Sequence, residues 1–215
     1  NFNMNKIQNS KKINNPFLAF AGNIGSGKTT FTKILSNRQN WKPFYESVSD
    51  NPYLNDFYKD MDRWSFNLQI YFLHKRFRTH QMMSKIDRGV IQDRTIYEDI
   101  EIFAKNLYDI GKMTKRDWQN YCGLFSTMLP LLKKPDLIIY LKASTDVLLS
   151  RIRKRNRNFE KSIDPEYLHI LNISYDRWVA KEKQYPVLII ETDNFNIFEN
   201  KEELYNIENK ILNKI

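Results

Sequence analysis

The sequence predicts an α/β protein with a five-stranded parallel sheet covered by helices on both faces. Short apolar runs alternate along the chain with longer segments of helical pattern. Each run is continuously apolar rather than alternating, which is typical of parallel strands that are buried on both faces. A chain of 215 residues forms one hydrophobic core more readily than two. We therefore expect one domain over residues 16–215, preceded by a polar tail of residues 1–15.

The individual elements are predicted from β-branched runs, apolar spacing and capping signals. Pro43 in the second strand indicates an edge position or a strand start, because proline cannot donate to a sheet ladder. Asp164 before Pro165 is typical of a helix start with the aspartate as N-cap. The predicted strands are residues 16–21, 41–45, 89–93, 136–141 and 186–190. The predicted helices are residues 28–38, 63–86, 95–108 and 114–132, a helix that begins at residues 144–146, and residues 164–183 and 199–215.

Composition excludes several classes of protein. Hydrophobic residues make up 41% of the chain and aromatic residues 14%, with 6 glycines and 7 prolines, so disordered, collagen-like and low-complexity chains are excluded. The single cysteine, Cys122, allows no internal disulfide. No apolar run approaches the roughly 18 residues of a membrane span. We expect a cytoplasmic protein with no membrane partner.

The formal net charge of +9 would suit a nucleic acid, an anionic lipid or a phosphorylated small molecule. One dense basic patch, RIRKRNR at residues 151–157, stands out, while the other lysines and arginines are spread among acidic residues. Charge alone does not choose among these partners.

Residues 22–29 read GNIGSGKT and fit the phosphate-loop pattern G-x-x-x-x-G-K-[ST] in full. A strand before the loop and a helix after it are the context in which this pattern binds nucleotides. In that context Lys28 neutralises the β- and γ-phosphate oxygens, and the Thr29 hydroxyl holds Mg²⁺. The predicted ATP and phosphate contacts in the loop are Gly22, Asn23, Ile24, Gly25, Ser26, Gly27, Lys28, Thr29 and Thr30.

A GTPase is one protein with such a loop. Residues 114–117 (TKRD) match the guanine-reading pattern [NT]KxD, but no apolar strand precedes them. None of the 6 glycines has an aspartate three residues before it, so a D-x-x-G switch element is absent from the sequence. We therefore set the GTPase aside.

Charged side chains follow the second and third predicted strands. Glu46 comes after the second strand, and Asp93, Arg94 and Thr95 close the third. Ligands of open α/β sheets bind at the carboxyl ends of the strands. Glu46 thus offers a base for a hydroxyl acceptor, Asp93 a metal ligand and Arg94 a cation for developing charge. Taken singly, each carboxylate is about as often a helix cap or a surface residue.

Two predicted helices carry side chains that suit a nucleobase. Gln69, Phe72 and Arg76 share one face of the helix over residues 63–86, and Asp99 and Phe103 share one face of the next. Together they offer edge hydrogen bonds and a stacking surface. From periodicity alone, an aromatic helix interface with an Arg76–Asp99 salt bridge is the more common explanation.

Two longer segments resemble the deoxynucleoside kinases, most closely the bacterial deoxyadenosine/deoxycytidine type. They are DNPYLNDFYKDMDRWSFNLQIYFLHKRF at residues 50–77 and QDRTIYEDIEIFAKN at residues 92–106. The similarity runs from about residue 17 to residue 178. It implies that Glu46 is the general base that takes the proton of the 5′-hydroxyl and that Asp93 organises Mg²⁺. Arg94 is implied to stabilise this general base and the transition state. Its implied substrate contacts are Tyr58 and Glu160 at the sugar 3′-hydroxyl, Gln69, Arg76 and Asp99 at the base edge, and Phe103 on the base ring.

By the same similarity, residues 151–157 form a lid over the donor phosphates. Arg155 and Arg157 match the phosphate-binding arginines of the family, and Arg151 is a weaker third match. Such arginines stabilise charge on the transferred γ-phosphoryl group. A nucleic-acid or membrane patch is disfavoured, because the segment leads directly into Glu160 and lacks the interleaved aromatic residues of a single-strand binder.

Two positions depart from the family pattern. Ser47 follows the glutamate where the family commonly has proline, and Asn156 stands between the lid arginines where glycine is usual. Asparagine tolerates a left-handed backbone better than most residues, so this lid can still close. Thymidine-preferring relatives tend to lack the Arg76 and Asp99 pair. The resemblance therefore favours deoxyadenosine, followed by deoxycytidine or deoxyguanosine.

The sequence thus predicts an ATP-dependent, Mg²⁺-requiring deoxynucleoside 5′-kinase of nucleotide salvage. One alternative is a nucleoside monophosphate kinase such as thymidylate kinase, which would want cations where Glu46 stands. Another is a non-catalytic or nucleic-acid-coupled P-loop protein, favoured only by the net charge. The resemblance further implies a homodimer through the long helices and feedback by a deoxynucleoside triphosphate, with no nucleic-acid partner.

Overall fold

A computed structural model describes residues 13–46, 48 and 50–215 of the chain. Its sheet has five strands in the order β2-β3-β1-β4-β5, and all four strand pairs are parallel. The predicted α/β class is confirmed, and Pro43 lies in an edge strand. Residues 1–12 of the predicted tail and Ser47 lie outside the described residues. The strands are β1 Phe17–Ala21, β2 Lys42–Phe44, β3 Val90–Asp93, β4 Leu137–Lys142 and β5 Val187–Glu191.

Helices connect the strands and follow the last one. The N-cap of α8 is Asp164 with Pro165 at the first helical position, as predicted. The helices are α1 Lys28–Gln39, α2 Leu54–Lys59, α3 Met61–Met83, α4 Ile96–Glu98, α5 Lys105–Asp109, α6 Lys115–Met128, α7 Thr145–Arg155, α8 Pro165–Lys181 and α9 Lys201–Leu212. A π-helical segment, Asp99–Ala104, joins α4 to α5, and 3₁₀ turns occupy Leu129–Leu131 and Asn158–Glu160.

The sheet is buried on both faces. Successive side chains of β1 point to opposite sides: Leu18 packs in one cluster with Phe31 of α1 and Leu204 of α9, whereas Phe17 packs in another with Met83 of α3. Every residue of β1 is buried. This explains why the strand is continuously apolar in the sequence.

Helix α2 was not predicted, because the sequence around it reads as a turn. The Asn51 side-chain oxygen accepts hydrogen bonds from the backbone N–H groups of Tyr53 (2.9 Å) and Leu54 (3.2 Å) and so starts the helix. Leu54 and Phe57 are buried in the core below. A six-residue helix is unstable in isolation, so this burial rather than local propensity holds it.

The helix predicted over residues 95–108 begins as expected and then changes type. The Thr95 hydroxyl accepts from the Glu98 N–H (3.1 Å), and the Glu98 carboxylate accepts from the Thr95 N–H (2.6 Å), which completes a capping box. The π-helical segment that follows carries Asp99 and Phe103. Such segments are frequent at functional sites because they re-aim side chains.

The carboxyl ends of β1, β2 and β3 meet at one edge of the sheet. Phe20 pairs with Asp93, and Phe44 pairs with Gln92, so the chain segments that leave these strands lie side by side. They are the glycine-rich loop, the segment with Glu46, and Arg94. Within the described ranges, no helix is long and apolar enough to cross a membrane.

Candidate active site

The glycine-rich loop between β1 and α1 has a backbone that only glycine adopts readily at three positions. Gly22, Gly25 and Gly27 have φ of +144°, +86° and +97°. The Asn23 side chain anchors the loop, because its Nδ2 donates to the Leu168 carbonyl (2.9 Å) and its Oδ1 accepts from the N–H of the next residue (2.8 Å). The loop is therefore held in shape from α8.

The Lys28 ammonium lies inside this loop. Its Nζ donates to the carbonyls of Gly22 (2.7 Å) and Asn23 (2.9 Å). Burial lowers the pKa of Lys28 to about 8, and the nearby Arg94 cation adds to this effect. Since a pKa of about 8 is still above neutral pH, the lysine stays mostly charged and can neutralise phosphate oxygens.

Thr29 and Asp93 provide oxygen atoms at the mouth of the loop. The Thr29 Oγ1 donates to the Asp93 Oδ2 at 2.5 Å, and burial raises the pKa of Asp93 while Lys28 opposes this. A hydroxyl and a carboxylate suit Mg²⁺, which usually takes one or two carboxylates together with substrate phosphates. Across the described residues, no group of three or more His, Cys, Asp or Glu could hold a metal alone. The donor set therefore fits Mg²⁺ shared with a nucleotide.

We predict that Asp93→Asn raises the Mg²⁺ concentration for half-maximal activity by about 10- to 100-fold, the cost typical of disturbed metal shells. Asparagine keeps the volume and an oxygen for Thr29 but loses the charge. The measurement is initial rate against Mg²⁺ at fixed ATP. The matched control is Asp136→Asn at the other end of the sheet, where the carboxylate accepts from the Phe17 N–H (2.7 Å). Equal Mg²⁺ curves for the two variants would contradict the prediction.

Glu46 lies between two arginines. Its Oε1 is 2.9 Å from the Arg94 Nε and 2.9 Å from the Arg76 Nη2. Burial alone would raise the pKa of Glu46, but Arg94, Arg76 and Lys28 outweigh burial and lower the pKa to about 2. The carboxylate is therefore ionised at any physiological pH.

Arg94 has a strained backbone and a fixed side chain. Its φ is +71°, in the left-handed region, and its N–H donates to the Phe20 carbonyl (2.9 Å). Its guanidinium lies 4.4 Å from the Phe103 ring centre, and its Nη1 donates to the Tyr175 hydroxyl (2.8 Å). A residue that is held in this uncommon conformation by so many contacts is typical of a functional site.

The predicted base-edge residues form a buried group. Asp99 accepts from the Nε (2.5 Å) and Nη2 (3.1 Å) of Arg76. Burial raises the pKa of Asp99 to about 6, although the Arg76 guanidinium opposes the rise. Gln69 is 2% exposed, and its Oε1 has no hydrogen-bond partner among the described residues. An orphaned acceptor in the lining of a cavity is what a hydrogen-bonding ligand would satisfy.

One cavity brings most of the predicted site residues together. Beyond them it has an apolar wall that the sequence did not indicate: Val48, Leu54, Phe57, Leu68, Phe159 and Tyr167. The predicted residues that line it are Ile24, Gly25, Gly27, Lys28, Thr29, Thr30, Glu46, Tyr58, Gln69, Phe72, Asp93, Arg94, Asp99, Phe103, Arg155, Arg157 and Glu160. The predicted residues outside its lining are Gly22, Asn23, Ser26, Arg76 and Arg151.

The lid arginines differ in their contacts. Arg155 pairs with both carboxylate oxygens of Glu160, with its Nε 3.0 Å from Oε2, and the Arg157 Nη1 is 3.6 Å from Oε1. Arg151 instead donates to the hydroxyl (3.0 Å) and the carbonyl of Thr192. It lines a neighbouring cavity on the other side of the loop. Asn156 ends α7 with φ +52°, the left-handed conformation that the sequence allowed for it.

Sequence reasoning missed Glu98 and Tyr175, which are both fully buried beside the cavity. The Tyr175 hydroxyl donates to the Glu98 Oε1 (2.7 Å), and the same oxygen accepts from the Gly22 N–H (3.0 Å). For Glu98 a signal existed, because Thr-x-x-Glu is the capping-box pattern. Tyr175 has no local signal, since its partners are far away in the chain.

Next to the phosphate loop the cavity presents an ionised carboxylate, Glu46, whose oxygen is held by Arg94 and Arg76. A carboxylate at this position can accept the proton of a hydroxyl acceptor. The fold and cavity therefore define a P-loop phosphotransferase that acts on the hydroxyl of a small molecule. Residues 18–215 match the protein family described as Deoxynucleoside kinase. The chain belongs to this family.

Relatives with named activities agree with the family. The chain is 37% identical to the deoxyadenosine/deoxycytidine kinase of Bacillus subtilis (strain 168) over 203 residues, which is 94% of each chain. It is 41% identical to a deoxyadenosine kinase of Dictyostelium discoideum over 186 residues, covering 86% of this chain and 76% of that one. It also resembles the solved deoxyadenosine kinase of M. mycoides with dCMP and dCDP bound (TM-score 0.82, 31% identity, 93% and 100% coverage). Another structure of that enzyme holds dATP.

Family and relatives together show that this protein is a phosphotransferase acting on a deoxynucleoside hydroxyl. They therefore favour the predicted kinase over a nucleoside monophosphate kinase or a non-catalytic P-loop protein. These relatives are named for deoxyadenosine together with deoxycytidine or for deoxyadenosine alone.

Proposed function

We propose that the protein transfers the γ-phosphoryl group of ATP to the 5′-hydroxyl of a deoxynucleoside, with Glu46 as the base. The observation that carries this proposal is the ionised Glu46 carboxylate, which lines one cavity with Lys28 and Thr29 of the phosphate loop. The 5′-oxygen forms a bond to the γ-phosphorus while the bond to the leaving ADP oxygen breaks. The hydroxyl proton passes to Glu46.

A carboxylate with a pKa of about 2 is a weak base, yet it suits this reaction. In a loose transition state the hydroxyl becomes acidic only as its oxygen bonds to phosphorus, so the proton leaves late. Catalysis then depends on position and on positive charge near the transferred group. Lys28, Arg94 and the lid residues Arg155 and Arg157 supply that charge from one cavity.

The metal, lid and sugar contacts are part of the same proposal. Mg²⁺, held through Thr29 and Asp93, would neutralise phosphate charge when it is bound. Tyr58 and Glu160 would hold the sugar 3′-hydroxyl, since both line the same cavity as the loop residues and Gln69. Arg155 would then exchange part of its contact with Glu160 for the donor phosphates.

We propose deoxyadenosine as the preferred acceptor, followed by deoxycytidine. The Asp99 carboxylate is a hydrogen-bond acceptor in the base subsite, and adenine and cytosine present amino donors where guanine and thymine present carbonyls. Gln69 can supply both a donor and an acceptor to the neighbouring ring nitrogen and amino group. Phe72 and Phe103, which line the same cavity, would flank the ring.

Assembly and regulation complete the proposal. A homodimer through the long helices α3 and α6 is proposed from the family resemblance, and both helices carry an exposed apolar side chain, Met82 (47%) and Leu124 (39%). Feedback by a deoxynucleoside triphosphate is supported by the M. mycoides relative that holds dATP. The cytoplasmic location stays a prediction.

The proposed function predicts a simple pattern of acceptors. ADP release from ATP and Mg²⁺ is measured with each of the four deoxynucleosides and with their 5′-monophosphates, with an acceptor-free reaction as the control for ATP hydrolysis. We expect turnover with deoxynucleosides, highest kcat/KM with deoxyadenosine and lowest with thymidine, because only amino-bearing bases suit Asp99. Turnover confined to the monophosphates would overturn the assignment.

A further inference from the structure

A chain of buried hydrogen bonds connects the phosphate loop to Arg94. The Arg94 Nη1 donates to the Tyr175 hydroxyl (2.8 Å), which itself donates to the Glu98 Oε1 (2.7 Å). The same carboxylate oxygen accepts from the N–H of Gly22, the first residue of the loop (3.0 Å), and Oε2 accepts from the Thr95 N–H (2.6 Å). Each donor in this series of hydrogen bonds therefore has an acceptor.

Glu98 and Tyr175 do not belong to the substrate cavity. Both are 0% exposed, and neither is among the residues that line the cavity. They therefore act on substrates only through the groups that they hold. Such groups, when fully satisfied, fix the geometry of an active site more firmly than isolated contacts do.

We infer that Tyr175 and Glu98 are positioning residues that fix the Arg94 guanidinium relative to the start of the phosphate loop. The inference rests on the proposed function, in which Arg94 stabilises charge on the transferred group. Donor phosphates are located by the loop, and Arg94 is located by Tyr175 and by Glu98, whose Oε1 also lies 3.7 Å from the Arg94 Nη1. The carboxylate of Glu98 therefore holds both the start of the phosphate loop and Arg94 in position.

The need for a second holder of Arg94 follows from the role proposed for Glu46. Glu46 pairs with the Arg94 Nε (2.9 Å), but it becomes neutral when it accepts the hydroxyl proton, and the ion pair then weakens. Tyr175 keeps its bond to Nη1 through that step. Burial raises the pKa of the Tyr175 phenol well above its ordinary value, so the hydroxyl stays protonated and continues to donate to Glu98.

The test compares two tyrosines that pack against each other. Tyr140 stacks on Tyr175 with ring centres 5.6 Å apart, is 2% exposed and donates to Asp176 (3.2 Å), away from the cavity. Tyr175→Phe is expected to lower kcat about tenfold, the usual effect of losing a hydrogen bond to a charged group. Its KM values for ATP and for the deoxynucleoside should stay within about twofold of the wild type. Tyr140→Phe is expected to leave kcat unchanged at a similar melting temperature.

The Arg94→Lys background separates the inference from the proposed function. Lysine keeps the charge but has no Nη1 to reach Tyr175, so Tyr175→Phe should lower kcat by less than about twofold in that background. Normal kcat in Arg94→Lys alone would sink the proposed role of Arg94. Reduced kcat in Arg94→Lys, with Tyr175→Phe equal to Tyr140→Phe or with fully additive losses, would sink the positioning inference only.

A second variant covers the case in which Tyr175→Phe does not fold. Glu98→Gln keeps the volume and one acceptor oxygen, but it removes the charge and puts an amide donor in place of one of the two oxygens that accept from Gly22, Tyr175 and Thr95. It should also lower kcat, with any change in KM confined to ATP, because Glu98 accepts from the loop N–H of Gly22. Unchanged kcat in a folded Glu98→Gln protein would count against the inference.

Discussion

Glu46→Gln is expected to lower kcat by about 10²- to 10⁴-fold, the usual contribution of a positioned general base. Glutamine keeps the shape and an oxygen for Arg94 and Arg76, but its amide cannot take the 5′-hydroxyl proton. KM for ATP should change little, because donor contacts come from the loop and the lid. The measurements are steady-state kinetics with deoxyadenosine as the acceptor, and ATP binding in the absence of an acceptor.

The same substitution should also reduce stability, so the kinetic test needs a folding control. The pKa of Glu46 is lowered from 4.5 to about 2 on folding. A lowered carboxylate pKa contributes stability above the unfolded pKa, and this contribution is lost as pH falls from about 4.5 to about 2. Linkage puts it at about 3 kcal/mol near neutral pH. Unfolding by urea at pH 7 checks the loss, and kcat is then measured at a temperature where the variant is folded.

The low pKa of Glu46 also predicts how kcat should depend on pH. Because its pKa is about 2, Glu46 is ionised throughout the range of pH 5 to 9. An acid limb of kcat in this range therefore belongs to another group, such as Asp99, whose pKa is about 6, or the nucleotide itself. Near-normal turnover of a folded Glu46→Gln protein would mean that the base is elsewhere.

The elements nearest to the phosphates could be predicted from the sequence, because short-range rules determine them. The pattern of residues 22–29 is contiguous, and parallel strands must end at one edge, which brings Glu46 and Asp93 to the same crevice. Helical spacing similarly predicted that Arg76 and Asp99 would meet, and they form a bidentate ion pair. In each case the spacing of residues along the sequence and one rule of strand or helix geometry were enough for the prediction.

The contacts that connect these parts could not be predicted, because they join distant residues by exact side-chain geometry. Tyr175 reaches Glu98 across 77 positions, and Arg76 reaches Glu46 across 30. No local period encodes such pairs. The π-helical segment at Asp99 is similar, since its turn type depends on packing rather than on the propensities of its residues.

The Arg76–Glu46 contact changes the meaning of the base-edge pair. Arg76 donates to Asp99 through Nε and Nη2, to Glu46 through Nη2 (2.9 Å) and to the Arg94 carbonyl through Nη1 (3.2 Å). One guanidinium therefore contacts both the proposed base subsite and the carboxylate proposed as the base, Glu46. A change at Arg76 should alter kcat as well as base preference.

Arg76→Met alone is expected to destabilise the protein by about 3 to 5 kcal/mol, because it leaves the buried Asp99 carboxylate without its cation. Arg76→Met combined with Asp99→Ala should regain part of this loss, since no buried charge is then left unpaired at the base edge. Urea unfolding of the wild type, both single variants and the double variant gives the coupling free energy. Equal losses for single and double variants would mean that the ion pair is not the source of the effect.

The double variant also tests whether Arg76 and Asp99 determine which base is preferred. Without the Asp99 carboxylate, the base subsite no longer repels the carbonyl of thymine, and it no longer accepts from the amino group of adenine. The ratio of kcat/KM for deoxyadenosine to that for thymidine should therefore fall by about tenfold or more, the effect of losing one good base contact. Overall kcat should fall for both nucleosides, because Glu46 loses one of its two guanidinium partners. A lower kcat with an unchanged ratio would leave Arg76 and Asp99 as a structural pair that supports Glu46 but reads no base.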